Sequence, residues 1–236
     1  MSSRTCASKT PAQARLAEVV AAYIKHLMDL QASGSDQASL DDVMIPSPSD
    51  KYPSHDFFCA IHTPPISLES YTHRLVTYMH CSPESFVFAV AYLRRLVLSG
   101  FPVHMRSVHR LLLTAVLVAL KCRDDLCYHI SFYAEVGGVT PKDLRTMEIR
   151  FLSDLIHFES GISLEDYHTV MEDITRVTSR RVIVKSISND SGLCSPCGVS
   201  ASSSAASSPS NLSCPGGKSA AFAPLWTSEC ELFWGR

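Results

Sequence analysis

The chain has no surplus of charge of either sign, with 21 Lys+Arg against 23 Asp+Glu in 236 residues and a formal net charge of -2. Without a bulk positive field nothing gathers a nucleic-acid backbone or an anionic membrane surface, and neither is expected as a partner. Long apolar runs are missing too. The longest, Leu111 to Leu120, is bounded by Arg110 and Lys121 and falls short of the roughly 20 residues that cross a bilayer, so it is expected to form a buried helix. The opening MSSRTCASKTPAQAR has basic residues with no apolar stretch behind them. That predicts no secretory leader and an intracellular setting, in cytoplasm, nucleus or both. In a reducing compartment the nine cysteines are expected as free thiols.

Catalytic signatures are equally scarce. No GxGxxG, GxxxxGK[ST] or GxSxG element occurs, so nucleotide binding and acyl transfer lack a starting point. The ten His lack HExxH spacing, and no helical metalloenzyme site is expected. Cys194, Cys197, Cys214 and Cys230 approximate a four-thiolate zinc pattern, but their serine-rich surroundings argue against it. The expectation is therefore no enzyme, no small-molecule substrate, no cofactor and no metal. With no leader expected, the sequons at Asn189 and Asn211 are expected to be inert. The Ser-Pro pairs at Ser47, Ser195 and Ser208 lie in expected loops, where they are either acceptors for a proline-directed kinase or plain linker.

What is present is a core. At 46% hydrophobic and 19% charged, the chain can fill one well-buried domain with tails. Residues 1–10 are expected to be disordered. Over 11–31, Leu16, Val19, Val20, Tyr23, Ile24 and Leu27 recur at steps of three and four, an amphipathic helix. Residues 32–56 lose the period and carry Gly34, Pro46, Pro48 and Pro53, a linker. Residues 57–160 form the compact core, 161–185 add a helix in which Val182–Val184 is ambiguous, and 186–236 turn to Ser, Ala, Pro and Gly. That last segment cannot bury enough surface to offset its ordering entropy and is expected to be disordered.

The core reads as five helices. Ser67 caps the first, from Leu68 to His80. Ser82 and Pro83 start the second, to about Leu98. Arg106 or Ser107 opens the third, Val108 to about Arg123, apolar all round like the second. A short fourth around Ile130 to Val136 stops at Gly137-Gly138, and Thr140 with Pro141 starts a fifth reaching about His157. Two all-apolar helices need neighbours on every side, so the fold class is an all-α bundle. On a helical wheel centred on Leu144, Met147, Phe151 and Leu155 define an apolar arc, and Glu148 falls inside it at about 40 degrees. A carboxylate there either snorkels from the stripe's edge or meets a partner. Lys121, the first charge after ten uncharged residues, is either a helix C-terminal cation or the matching half of such a contact.

The stretches 81–96 (CSPESFVFAVAYLRRL), 108–125 (VHRLLLTAVLVALKCRDD) and 132–144 (FYAEVGGVTPKDL) closely resemble the cyclin box. They are most similar to the P-type or U-type cyclins related to the yeast phosphate-signalling cyclin. The resemblance runs from about Ile66 to Leu164. It implies a five-helix cyclin box with flanking helices, and a regulatory subunit that binds and activates a cyclin-dependent serine/threonine kinase in cell-cycle or nutrient-linked control. In that family a Lys ending the third helix and a Glu in the fifth pair up and dock against the kinase. The resemblance places those roles on Lys121 and Glu148, with exposed apolar contacts expected from Leu117 and Leu144. One departure stands out: where the family usually has Asp in a YLDRL-like segment, this chain has Arg94. The usual ion pair of that Asp with an arginine of the first helix, here Arg74, cannot form. Either both arginines reach solvent or carboxylates elsewhere compensate. The alternative reading is a cyclin-fold helical adaptor or transcription-factor-like scaffold that activates no kinase.

Overall fold

The computed structural model describes residues 10–35 and 52–188 of the chain. The expectations placed on the serine-rich tail, its four thiols, the two sequons, the three Ser-Pro pairs and the first nine residues lie outside the described residues. Among the described residues every regular element is helical: α1 (Pro11–Ser35), α2 (His55–Phe58), α3 (Leu68–Tyr78), α4 (Pro83–Leu98), α5 (Val108–Arg123), α6 (Ile130–Gly137), α7 (Pro141–Arg150), a π-helical turn (Phe151–Leu155) and α8 (Leu164–Ser188). The all-α architecture expected from the periodicity is the one observed. No described helix is long and apolar enough to cross a membrane.

Local chemistry sets most of the boundaries. The Ser67 hydroxyl accepts from the Ser70 amide at the start of α3, and Thr140 does the same for Asp143 at the start of α7 with Pro141 behind it, which satisfies amides that have no intrahelical carbonyl. Gly138, at φ 83°, takes the left-handed turn that ends α6. The α4 start is capped from a distance: Asp124, just past α5, accepts from the Ser82 amide at 3.0 Å and hydroxyl at 2.6 Å, and from Ser85 at 3.3 Å. The fifth helix of the box departs from its predicted run to His157. It passes into the π turn, and His157 and Phe158 then reverse the chain at φ 49° and 62°.

At the centre lies α5, where every residue from Val108 to Leu120 except Arg110 is buried. It packs on α3, α4 and α7. The fit between α6 and α5 is close enough that a Cβ on Gly137 would stand 2.2 Å from a Leu113 methyl, so any larger residue there would force the buried Leu113 side chain to move. Before the box, α1 continues past its expected end at Gln31. It lays Val20, Tyr23, Ile24 and Leu27 against α3, α4 and α8. Gln31 then clasps the α4–α5 connection, donating to the Phe101 carbonyl at 2.6 Å and accepting from the Val103 amide at 2.8 Å. Across the boundary read between linker and core at residue 56, α2 buries Phe58 completely, a burial worth about 1.5–3 kcal/mol for a ring of that size.

The structure decides between the two alternatives for Arg94. Its Nε lies 3.3 Å from a carboxylate oxygen of Asp173 on α8, and the neighbouring Arg95 meets Asp166 about two turns earlier at 3.0 Å. Arg95 thereby holds the Asp166 carboxyl below the usual carboxylate range. Carboxylates elsewhere do compensate. Arg74 instead donates to the Val136 and Glu135 carbonyls, at 2.7 and 3.1 Å, supplying a cation and donors to the C-terminal end of α6. Asp173 also accepts from Arg176 and from the Tyr23 hydroxyl of α1. Burial first, and Asp173 second, push the Tyr23 phenol up to about 12. One carboxylate thus joins α1, α4 and α8. Asp173→Ala is expected to cost about 1–3 kcal/mol, because it strips partners from a buried phenol and a part-buried guanidinium. Amide exchange should quicken across α8 and leave α5 protected; uniform acceleration of both helices would contradict this placement.

Candidate partner interface

Lys121 stands in the last turn of α5 and Glu148 near the end of α7, and the packing of these two helices brings the side chains together. Lys121 Nζ donates to Glu148 Oε1 at 2.5 Å. The carboxylate side is the more enclosed, with 14% of the Glu148 side chain exposed against 37% for Lys121. The position of Glu148 inside the apolar arc of α7 is thereby explained: the carboxylate is neutralised by a cation that forms its lid. Coulomb attraction across a pair open to water on one side contributes little net stability, at most about 1 kcal/mol.

Leu117 and Leu144 do not belong to this surface. Both were expected to be exposed, and both are fully buried. Each lies one helical turn before its charged neighbour, so Leu117 precedes Lys121 and Leu144 precedes Glu148 on the faces that α5 and α7 turn inward. Both belong to the buried core beneath the two helices. The apolar side chains that do reach solvent close to it in sequence are Ile149, beside Glu148, and Leu126 and Tyr128, in the connection leaving α5. Among them Leu126 is the most open, at 84% exposed.

Asp124 was not singled out from the sequence, yet it fixes the end of α5 that carries Lys121. By capping α4 through Ser82 and Ser85 it ties the two longest helices of the box together three residues beyond that lysine. The Asp-Asp pair closing the 108–125 stretch was the available signal, but its partners lie about forty residues back. Arg123 adds a second tie, its guanidinium 4.4 Å from the centre of the Phe88 ring on α4. The result is a charged pair on a rigid, buried footing with exposed apolar neighbours. Such a patch can bind a macromolecular surface through a few anchored side chains.

Comparison with known proteins places this arrangement. The family model described as Cyclin matches residues 15–159, from within α1 to just past the π turn. Among curated proteins, the chain is 36% identical over 121 residues to Cyclin-U4-2 of Arabidopsis thaliana, covering 50% of this chain and 56% of that protein. It is 41% identical over 100 residues to Cyclin-U4-1 of the same plant, covering 42% and 50%. Over 153 residues it is 34% identical to Cyclin-P3-1 of Oryza sativa, covering 64% of each. The chain spans between half and two thirds of the length of these relatives.

Proposed function

The chain belongs to the cyclin family as a P/U-type member with a single cyclin box, and from that premise we propose that it binds and activates a cyclin-dependent serine/threonine kinase. The observation that carries this reading is the Lys121–Glu148 pair, closed at 2.5 Å across α5 and α7 on an otherwise buried footing. Docked against the kinase, the pair and the exposed Ile149 and Leu126 would bear on its movable αC helix and favour the position in which the kinase's own Lys–Glu ion pair forms. The chain then does its work by binding alone. Its preference for the active conformer, not its affinity as such, sets the degree of activation.

Affinity capture with the full chain, followed by a phosphorylation assay on the recovered kinase, tests this. The expected result is one cyclin-dependent kinase recovered in stoichiometric amount, with activity that rises on adding the chain. Recovery of nucleic acid without a kinase would favour the adaptor reading and overturn this one. The setting, whether cell-cycle or nutrient-linked control, follows from which kinase is recovered.

A further inference from the structure

Around α2, to which no functional role has been given above, three ligand side chains converge. His55 opens α2, Cys59 ends it one turn later, and His104 comes from the connection between α4 and α5. One donor atom from each lies within 4.8 Å of the other two. Cys59 Sγ is 3.5 Å from His55 Nε2 and 3.8 Å from His104 Nε2. Tetrahedral zinc, with bonds of about 2.3 Å to sulfur and about 2.0 Å to nitrogen, spaces a sulfur and a nitrogen ligand roughly 3.5 Å apart.

The remaining ring nitrogens are also occupied in the way a metal site needs. His55 Nδ1 lies 3.0 Å from the Asp56 carboxylate, and His104 Nδ1 lies 3.2 Å from the Ser107 hydroxyl. The Asp56 carboxylate accepts from the Nδ1–H of His55 and so presents an unprotonated Nε2, the arrangement by which outer partners orient metal-bound histidines; the Ser107 hydroxyl, which donates to the His104 carbonyl, is placed to accept from the Nδ1–H of His104 in the same way. Aromatic packing holds the rings: the two imidazoles meet edge to face at 5.3 Å, and His55 also packs on Phe101 at 5.8 Å. The nearby cations are engaged, Arg106 donating to the Ala60 carbonyl and Arg110 to that of Phe57.

We propose that His55, Cys59 and His104 form a zinc site that clips α2 onto the α4–α5 connection. Binding takes both imidazoles neutral and the sulfur as thiolate, the thiol proton passing to solvent, and leaves the fourth position to water. Two imidazoles and one thiolate suit zinc, whereas calcium and magnesium require oxygen donors. The clip reinforces links already made there, among them Tyr52 donating to the Ser99 carbonyl at 2.5 Å and the Ala60 amide to the Arg106 carbonyl at 2.8 Å.

The test uses the full chain, cleared of metal and titrated with Co²⁺ as a spectroscopic stand-in and with Zn²⁺ itself. The parent should show thiolate-to-cobalt charge-transfer absorption, displaced by zinc, and a higher Tm with zinc than without. Cys59→Ser and His104→Gln should each bind about one equivalent less than the parent and lose the zinc-dependent rise in Tm. Because both variants keep Cys194, Cys197, Cys214 and Cys230, metal held by the tail cancels in the difference. Unchanged stoichiometry and an unchanged Tm response in the two variants would overturn the proposal. So would a parent chain that binds no zinc. If Cys59→Ser fails to fold, His104→Gln carries the comparison, since it leaves the helical segment intact.

Discussion

Phe151→Ala should lower stability by about 3–5 kcal/mol, the largest loss expected from any single truncation near the interface. The ring is fully buried at the first position of the π turn. It lies edge-on to Phe58 at 6.4 Å and to Tyr92 at 6.2 Å. Those contacts join three parts of the chain: α2, the middle of α4, and the end of the helix that carries Glu148. Removal therefore opens a cavity shared by elements far apart in sequence, which cannot collapse onto one neighbour. Tyr92 is itself pinned, its hydroxyl donating to the Ser160 carbonyl at 2.7 Å. Urea unfolding of Phe151→Ala beside Ile149→Ala checks this. The exposed isoleucine should change stability by no more than about 0.5 kcal/mol. A Phe151→Ala loss below about 1 kcal/mol would show that the ring is not packed as described.

Lys121→Ala and Glu148→Ala are each expected to weaken binding to the proposed kinase by about 1–3 kcal/mol, or about 5- to 150-fold. Their effects on the isolated chain should differ. Removing Lys121 strands a carboxylate whose side chain is 14% exposed, whereas removing Glu148 frees a lysine that already reaches water. Lys121→Ala should therefore be the more destabilising of the two, though by a small margin for a half-open pair. Isothermal titration of the captured kinase, with urea unfolding of each variant, separates the two effects. Unchanged affinity in both variants would remove this face from the interface.

The contrast between Leu144 and Glu148 shows how far the sequence could be read. Caps and breakers made the five box helices legible, because Ser67, Pro83, Thr140 and Gly138 act within one turn of their own backbone. The Lys121–Glu148 contact was legible only through the family resemblance, since a wheel places Glu148 on an apolar arc and cannot say what faces it. Leu117 was misplaced because α5 is apolar on every side and composition does not reveal which side lacks a neighbour; Leu144, at the centre of the α7 apolar arc, was misplaced because a wheel does not say whether that arc meets the core or a partner. The four-residue α2 is too short for periodicity to register, although it supplies both Phe58 and His55. Arg94 found its carboxylate in Asp173, across a distance in sequence that no local pattern spans. Helix starts are short-range chemistry, whereas interfaces and ion pairs depend on the packing of the whole chain.

A lysine and a glutamate already joined to each other present a dipole, not two separate charges, to anything that approaches. Its field decays faster than that of an isolated ion, and added electrolyte has little left to screen. The pair itself should then add little to the ionic-strength dependence of complex formation or to the steering of its partner.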